Sequence, residues 1–180
     1  MGINPSGSIH GVILIEPKIF SDQRGKFFES FVAARYLKAG VLENFVQDNM
    51  SFSYKNTLRG LHFQQKYPQG KLVTVLMGKV YDVVLDLRQS SSTFGEHIGL
   101  WLDDVAHHQI YIPPGCAHGF YVVSDFALLH YKCTDYYHHE DESGLMWNDP
   151  ALNIDWPLIG EPIISEKDKL YKPFNKNDFL

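Results

Sequence analysis

An all-β fold, a sandwich or barrel with the jelly roll among the candidates, is what this sequence predicts. Two observations carry that expectation. Short segments rich in β-branched and aromatic residues recur along the chain, and Gly, Pro, Asp or Ser clusters separate most of them. Clear helical periodicity is confined to two brief stretches. Many short strands with turns at this spacing build antiparallel sandwiches and barrels.

The elements follow in chain order. "GVILIEP" (11–17) and "KFFESF" (26–31) open the series of strands. "VAARYLKAG" (32–40) is the first helical stretch, with Gly40 as its stop, because glycine accepts the left-handed conformation that closes a helix. "FVQDNMSFSY" (45–54), "NTLRGLHFQ" (56–64) and "KLVTVLMG" (71–78) read as strands. In "VYDVVLDLR" (80–88) one face holds Tyr81, Val83, Leu85 and Leu87, and the other Val80, Asp82, Val84 and Asp86. That alternation predicts a strand with one packed face and one more polar face. "HIGLWL" (97–102), "HQIYIPP" (108–114), "HGFYVV" (118–123) and "ALLHYKCT" (127–134) complete the strands. "SEKDKLY" (165–171) is the second helical stretch, with Ser165 as N-cap.

Composition bounds the function. The chain of 180 residues is long enough for one domain, 1–180, with a real core, and 44% hydrophobic with 21% charged residues is the balance of a folded protein. No apolar run reaches the ~18 residues of a membrane span. The opening "MGINPSGSIHG" lacks the basic start and apolar core of a signal peptide; its Met-Gly with Ser6 fits a myristoylation pattern that short sequences match by chance. Two cysteines, Cys116 and Cys133, are too few for a disulfide framework, so a cytoplasmic protein is expected. A net charge of −5 argues against a nucleic-acid partner, although a few basic residues converging in one cleft suffice for a small anion.

Polar groups sit among the strand hydrophobics. Arg59 and His62 lie between Leu58, Leu61 and Phe63, and both are costly to bury. A lone strand histidine is more often a hydrogen-bonded core residue than a catalyst, but the pattern recurs. Gln47 and Asn49 are two apart and share a face; Lys71 starts a strand after Gly70; Tyr131 faces away from His130 and Lys132; His118 follows a Pro-Pro-Gly turn. On a shared barrel these residues would line one polar cavity; otherwise they are unrelated rim residues. Arg59 and His62 are three apart, which a regular strand would send to opposite faces. Gly60 between them permits a bulge that re-aims one of them.

Metal and nucleophile chemistry find little support. "PPGCAHGF" has the Pro-x-Gly-x-x-His pattern of a second cupin motif, but the first, with its His-x-His and glutamate, is missing: Phe63 and Gln64 follow His62. The ligand set is incomplete and no metal is expected. Neither cysteine has an activating context, and no G-x-S-x-G, P-loop or G-x-G-x-x-G pattern occurs.

Taken as an ordered set, "SDQRGKFFESF", "QDNMSFSYKNTLRGLHFQ", "QGKLVTVLMGKVYDVVLDLRQSSSTFGEH", "IPPGCAHGF", "YKCTDYY", "ESGLMWNDP" and "IDWP" resemble dTDP-4-dehydrorhamnose 3,5-epimerases from about Ile9 to Lys172. The resemblance implies a cupin-type jelly-roll β-barrel with a few short peripheral helices and no metal or other cofactor. It implies dTDP-4-dehydro-6-deoxy-D-glucose as substrate and a homodimer exchanging N-terminal strands. By the same resemblance His62 is the base, Tyr131 the acid, Lys71 the positive group beside the enolate and Asp168 the partner that orients His62. Without the resemblance, Asp168 would read as a surface charge. Arg24, Glu29, Gln47, Asn49, Arg59, His118, Glu142 and Lys167 match substrate-binding positions, and Phe27, Tyr137 and Trp147 are aromatic candidates. Arginine suits a diphosphate because its planar fork pairs with two oxygens. Thr74 and Cys116 depart from the family pattern, where arginine and phenylalanine are common, which leaves the nucleotide less defined. A C3 or C5 mono-epimerase shares these motifs, and a non-catalytic sugar-nucleotide-binding cupin is the alternative of a different class.

Overall fold

The computed structural model describes residues 2–5, as backbone, and residues 9–179; Ser6 of the myristoylation pattern lies outside the described residues. The chain forms strands β1 (Gly2–Pro5), β2 (Ile13–Glu16), β3 (Phe20–Asp22) and β4 (Gly25–Phe27), then helix α1 (Ala33–Lys38). Next come β5 (Gln47–Tyr54), β6 (Leu58–Gln64), β7 (Lys71–Met77), β8 (Lys79–Asp86) and β9 (His97–Asp103). The last are β10 (Gln109–Ile112), β11 (Cys116–Val122), β12 (Phe126–Cys133) and β13 (Glu142–Gly144). One sheet runs β1-β2-β10-β7-β12-β5 and faces a second, β13-β6-β11-β8-β9, while β3 and β4 form a separate hairpin. Pairing within the sheets is antiparallel throughout. This is the expected all-β jelly-roll architecture, with short helices only at its periphery.

Strand alternation feeds three apolar layers. Val73, Val75, Val80, Val84, Ile110, Ile112, Phe120 and Leu129 meet between the sheets. Ile13, Ile15, Leu72 and Tyr111 point out of the first sheet and are covered by Tyr36 of α1 and by Val41. Leu58, Leu61, Val83, Leu85, Ala117 and Tyr121 point out of the second sheet, beneath Leu145, Leu152, Trp156 and Phe179. Full burial of each such aliphatic side chain is worth ~1.5–3 kcal/mol.

The predicted helix is present, and Gly40 stops it as expected. Gly40 has φ +99°, its N–H donates to Leu37 O, and the Val41 N–H donates to Tyr36 O, the double bond of a Schellman ending. Two elements depart from expectation, and β8 keeps the predicted alternation with its more polar face turned inward. "KFFESF" pairs only as far as Phe27, in an exposed hairpin. "SEKDKLY" is a single 3-10 turn, Asp168–Leu170, after which Tyr171 is already extended; Ser165 Oγ still accepts the Asp168 N–H at 3.1 Å. β8 has no solvated face. Both of its faces are covered, since the segment after β13 packs over the outer side of its sheet, and Asp82 and Asp86 are fully buried.

Asp86 is the structural one of these two acids. Its carboxylate accepts from Arg88 N–H, Nε and Nη2, Ser91 Oγ and Thr93 Oγ1, all at 2.6–3.0 Å. Burial alone would raise its pKa, but these donors outweigh burial and hold it at about 2. A carboxyl depressed in the folded state stabilises above its unfolded pKa and loses that contribution as pH falls through the folded one. Asp86→Asn, which removes the charge and turns an amide N–H donor toward these donors, is expected to cost about 3 kcal/mol at neutral pH in urea unfolding. That gap should narrow as pH drops from about 4 to about 2.

Candidate active site

β6 has to serve two layers at once. Register places His62 opposite His118 and Arg59 opposite Phe120, so three steps along β6 match two along β11. This bulge falls at Gly60, whose φ is +101°. It shifts the side-chain phase by one residue. Leu58 and Leu61 both join the outer layer, while Arg59 and His62 both line the inner cavity. The two backbones touch here: a Cβ on Gly60 would lie 2.5 Å from His118 O, and one on Gly119 2.7 Å from Arg59 O.

The cavity, about 240 Å³, opens at one end of the sandwich where inward polar residues replace the aliphatic filling. β6 contributes Arg59, His62 and Gln64, β11 His118, β7 Lys71, β12 Tyr131, β5 Asn49 and Ser51, and β13 Glu142. Phe120 and Leu129 of the central layer form its floor.

Each cavity histidine is held by a carboxylate. His62 Nε2 bonds Asp168 Oδ1 at 2.9 Å, and Asp168 Oδ2 accepts the Gly60 N–H at 3.1 Å. Burial pushes the Asp168 carboxyl up, but the bonds from His62, Gly60 and Ser165 prevail and hold it below the ordinary value, so it stays ionised. An ionised carboxylate only accepts, which keeps the imidazole proton on Nε2 and the lone pair on Nδ1. His118 Nε2 bonds Asp82 Oδ2 at 2.8 Å. The other Asp82 oxygen is buried without a hydrogen-bond partner among the described residues. The sequence placed Asp82 only on a polar strand face; a charge inside an apolar period-two run was the available signal.

Two further groups have electrostatics that matter. Lys71 has no ion-pair partner among the described residues, and desolvation lowers its pKa, partly opposed by Cys133, Asp82 and Glu142. Burial raises the Tyr131 phenol, so it keeps its proton at neutral pH. Arg59 is aimed by Ser53, whose Oγ accepts its Nε–H at 3.0 Å.

The mouth is a polar frame. Tyr137 Oη donates to Glu142 Oε2 at 2.6 Å, and Lys167 pairs with the same oxygen. Gln47 accepts the Tyr137 N–H and donates to Asn49 Oδ1. Arg59, His62 and Glu142 also border a second cleft, of about 400 Å³, which Lys167 and Asp168 line. Arg24 and Glu29 stand apart from this cavity. Arg24 pairs with Asp22 and Glu29 with Arg35, all four exposed. Phe27 is exposed on the hairpin, and Trp147 packs in the outer core. Thr74 faces the α1 side of the first sheet, where it bonds Gln109, so it has no contact with the cavity. Cys116 is a buried core residue, its thiol pushed up to about 12 by burial. Among the described residues no three metal-type ligands cluster.

This arrangement can remove a proton from one side of a bound molecule and return one from another, beside a fixed positive charge. The family model described as dTDP-4-dehydrorhamnose 3,5-epimerase matches residues 6–176. The chain belongs to this family. The dTDP-4-dehydrorhamnose 3,5-epimerase of Methanothermobacter thermautotrophicus is 48% identical over 94% of this chain and 93% of its own length. The enzyme of the same name from Pseudomonas aeruginosa is 48% identical over 95% of each chain. Among solved structures, the dTDP-6-deoxy-D-glucose-3,5-epimerase of Legionella pneumophila in complex with dTDP-4-keto-L-rhamnose superposes with a TM-score of 0.92 at 49% identity. That match covers 96% of this chain and 92% of the Legionella one.

Gly60→Ala tests the bulge. The added methyl meets backbone rather than a movable side chain, at a positive φ, so a loss of at least about 2 kcal/mol is expected in urea unfolding. Turnover should fall too, because Arg59 and His62 lose their common face.

Proposed function

We propose that this chain is a dTDP-4-dehydrorhamnose 3,5-epimerase that inverts C3 and C5 of dTDP-4-dehydro-6-deoxy-D-glucose, with His62, Tyr131, Lys71 and Asp168 as its chemical machinery. The observation that carries this reading is the His62–Asp168 pair opening on the same cavity as Tyr131 and Lys71. The C4 ketone acidifies the protons on C3 and C5. Neutral His62 takes such a proton at Nδ1, and the electron pair moves into the carbonyl to form an enolate. Lys71, which has no ion-pair partner among the described residues, gains one in the developing oxyanion, so its attraction is strongest where the barrier lies. Tyr131 then returns a proton to carbon from the other face, and solvent restores the imidazole and the phenol. Positioned proton transfers of this kind contribute ~10²–10⁴-fold each. Asp168 keeps the base in the productive tautomer, and His118 on Asp82 presents a second imidazole to the sugar. Arg59 receives the diphosphate, while Gln47, Asn49, Glu142 and Lys167 hold the nucleotide end at the mouth.

Arg24 and Glu29 fit this reading through a second copy of the chain. They sit on and beside an exposed hairpin that presents Phe20 and Phe27, and the first sheet exposes Met50, Phe52, Tyr54 and Phe126 nearer its β5 edge. We therefore read the working unit as a homodimer in which one copy supplies Arg24 and Glu29 to the other's cavity. Free, buried Cys116 and Cys133 fit a cytoplasmic setting, and no described helix is long and apolar enough to cross a membrane.

Incubation with dTDP-4-dehydro-6-deoxy-D-glucose in D₂O, without reductase, is expected to place deuterium at both C3 and C5 by NMR and mass spectrometry. His62→Ala and Tyr131→Phe should fold normally and lose more than about 10²-fold in turnover. Deuterium at one carbon only would identify a mono-epimerase, and none at either a binding protein or a different nucleotide sugar. Light scattering should give a dimer. Mixing inactive Arg24→Ala with inactive His62→Ala should restore part of the activity, because one mixed site then carries neither lesion; a monomer, or mixing without recovery, would end the shared-site reading.

A further inference from the structure

One ring beside the base has no part in the chemistry above. Tyr171 follows the 3-10 turn that carries Asp168, and its N–H reaches Asp168 O at 3.4 Å. Its ring stands edge-on to His62, with centroids 5.8 Å apart and planes at 71°. The same ring fills a gap in the sheet. Gly144 of β13 is the residue directly opposite His62, and a Cβ there would lie 2.3 Å from Tyr171 Cε2. The cross-strand neighbour of His62 is therefore supplied by a residue distant in sequence. The segment bearing it is pinned at that point: Leu145 bridges Lys172, Met146 N–H donates to Lys172 O at 2.9 Å, and Leu145 N–H to Leu61 O at 2.9 Å. The Tyr171 hydroxyl is buried without a well-formed hydrogen bond among the described residues, and its polar neighbour is the Lys167 ammonium rather than His62.

We propose that Tyr171 is a positioning residue for His62: its ring, seated in the space Gly144 leaves, walls one side of the imidazole while Asp168 holds Nε2. Between them they leave one ring orientation, with Nδ1 toward the sugar. The ring does this, and the hydroxyl does not. An imidazole anchored at Nε2 alone still swings about that bond, and an edge-on aromatic neighbour removes the swing without adding charge. This inference rests on the assignment of His62 as the base.

The test compares Tyr171→Phe, Tyr171→Leu and Tyr171→Ala in the full chain, by steady-state kinetics with dTDP-4-dehydro-6-deoxy-D-glucose and by ¹⁵N NMR of histidine-labelled protein without substrate. Tyr171→Phe should keep kcat and KM within about twofold. Tyr171→Ala should lose about 10- to 100-fold in kcat with KM nearly unchanged, the scale of a small misplacement at a reacting centre, and Tyr171→Leu should fall between them. Asp168 should keep His62 in the Nε2–H tautomer in every variant, while the His62 ring signals should be sharp in the wild type and in Tyr171→Phe and exchange-broadened in Tyr171→Ala, where the ring is free to swing. Should the alanine variant fail to fold, the phenylalanine and leucine variants decide. An unchanged kcat in Tyr171→Leu and Tyr171→Ala would overturn the proposal, as would a Tyr171→Phe loss equal to that of alanine, which would give the role to the hydroxyl. A wild type without turnover would instead sink the epimerase reading, and the NMR comparison would still decide what Tyr171 does to His62.

Discussion

The close approach of β6 and β11 at Gly60 and Gly119 is the constraint on which the rest of the site depends. Without a Cβ on either residue the two backbones come within contact distance, and the extra residue of the bulge is absorbed. The phase shift that follows lets a seven-residue strand put Leu58 and Leu61 into one core and Arg59 and His62 into a cavity on the opposite side. The same glycine donates its N–H to Asp168, so the element that re-aims the base also anchors the carboxylate that orients it.

The interior of the sandwich is divided along its length between two physical regimes. At one end aliphatic side chains fill the space between the sheets, and burial of apolar surface holds the sheets together. At the other end the same strands turn polar, and each buried charge is handled differently. Asp86 is saturated by donors and serves the fold. Asp168 and Asp82 each hold one imidazole. Lys71 lines the cavity without an ion-pair partner among the described residues, which a purely structural core would avoid. Unsatisfied groups facing a cavity are what a charged substrate can complete, so the cost of keeping them is recovered on binding and in the transition state.

Much of this was legible in the sequence because it is written in short-range patterns. Strand positions follow from period-two alternation between turn residues, and the end of α1 from Gly40. The shared face of Gln47 and Asn49, and the opposition of Tyr131 to His130 and Lys132, follow from strand geometry alone. The bulge at Gly60 was legible as an inconsistency: two polar residues three apart cannot both be satisfied by a regular strand. Other features left no local trace. Asp168 sits in a charged, surface-like segment and is buried only because that segment folds back over the second sheet. The polar-looking face of β8 is interior because it turns toward the first sheet, where Val80 and Val84 join the central layer. Thr74 points away from the cavity, which depends on the phase of β7 relative to α1.

Composition and periodicity by themselves determined an all-β chain, the approximate place of most strands, and which residue types were available for proton transfer and anion binding. These are properties of neighbours along the chain, and backbone stereochemistry converts them directly into local structure. Only the tertiary structure decided which polar residues meet. Asp168 reaches His62 across 106 residues, Asp82 reaches His118 across 36, and Tyr171 takes the place opposite His62 that Gly144 leaves open. Such pairings depend on sheet order, register and the path of the chain after β13. Those are set by the joint burial of distant apolar faces, and no local window of sequence contains them.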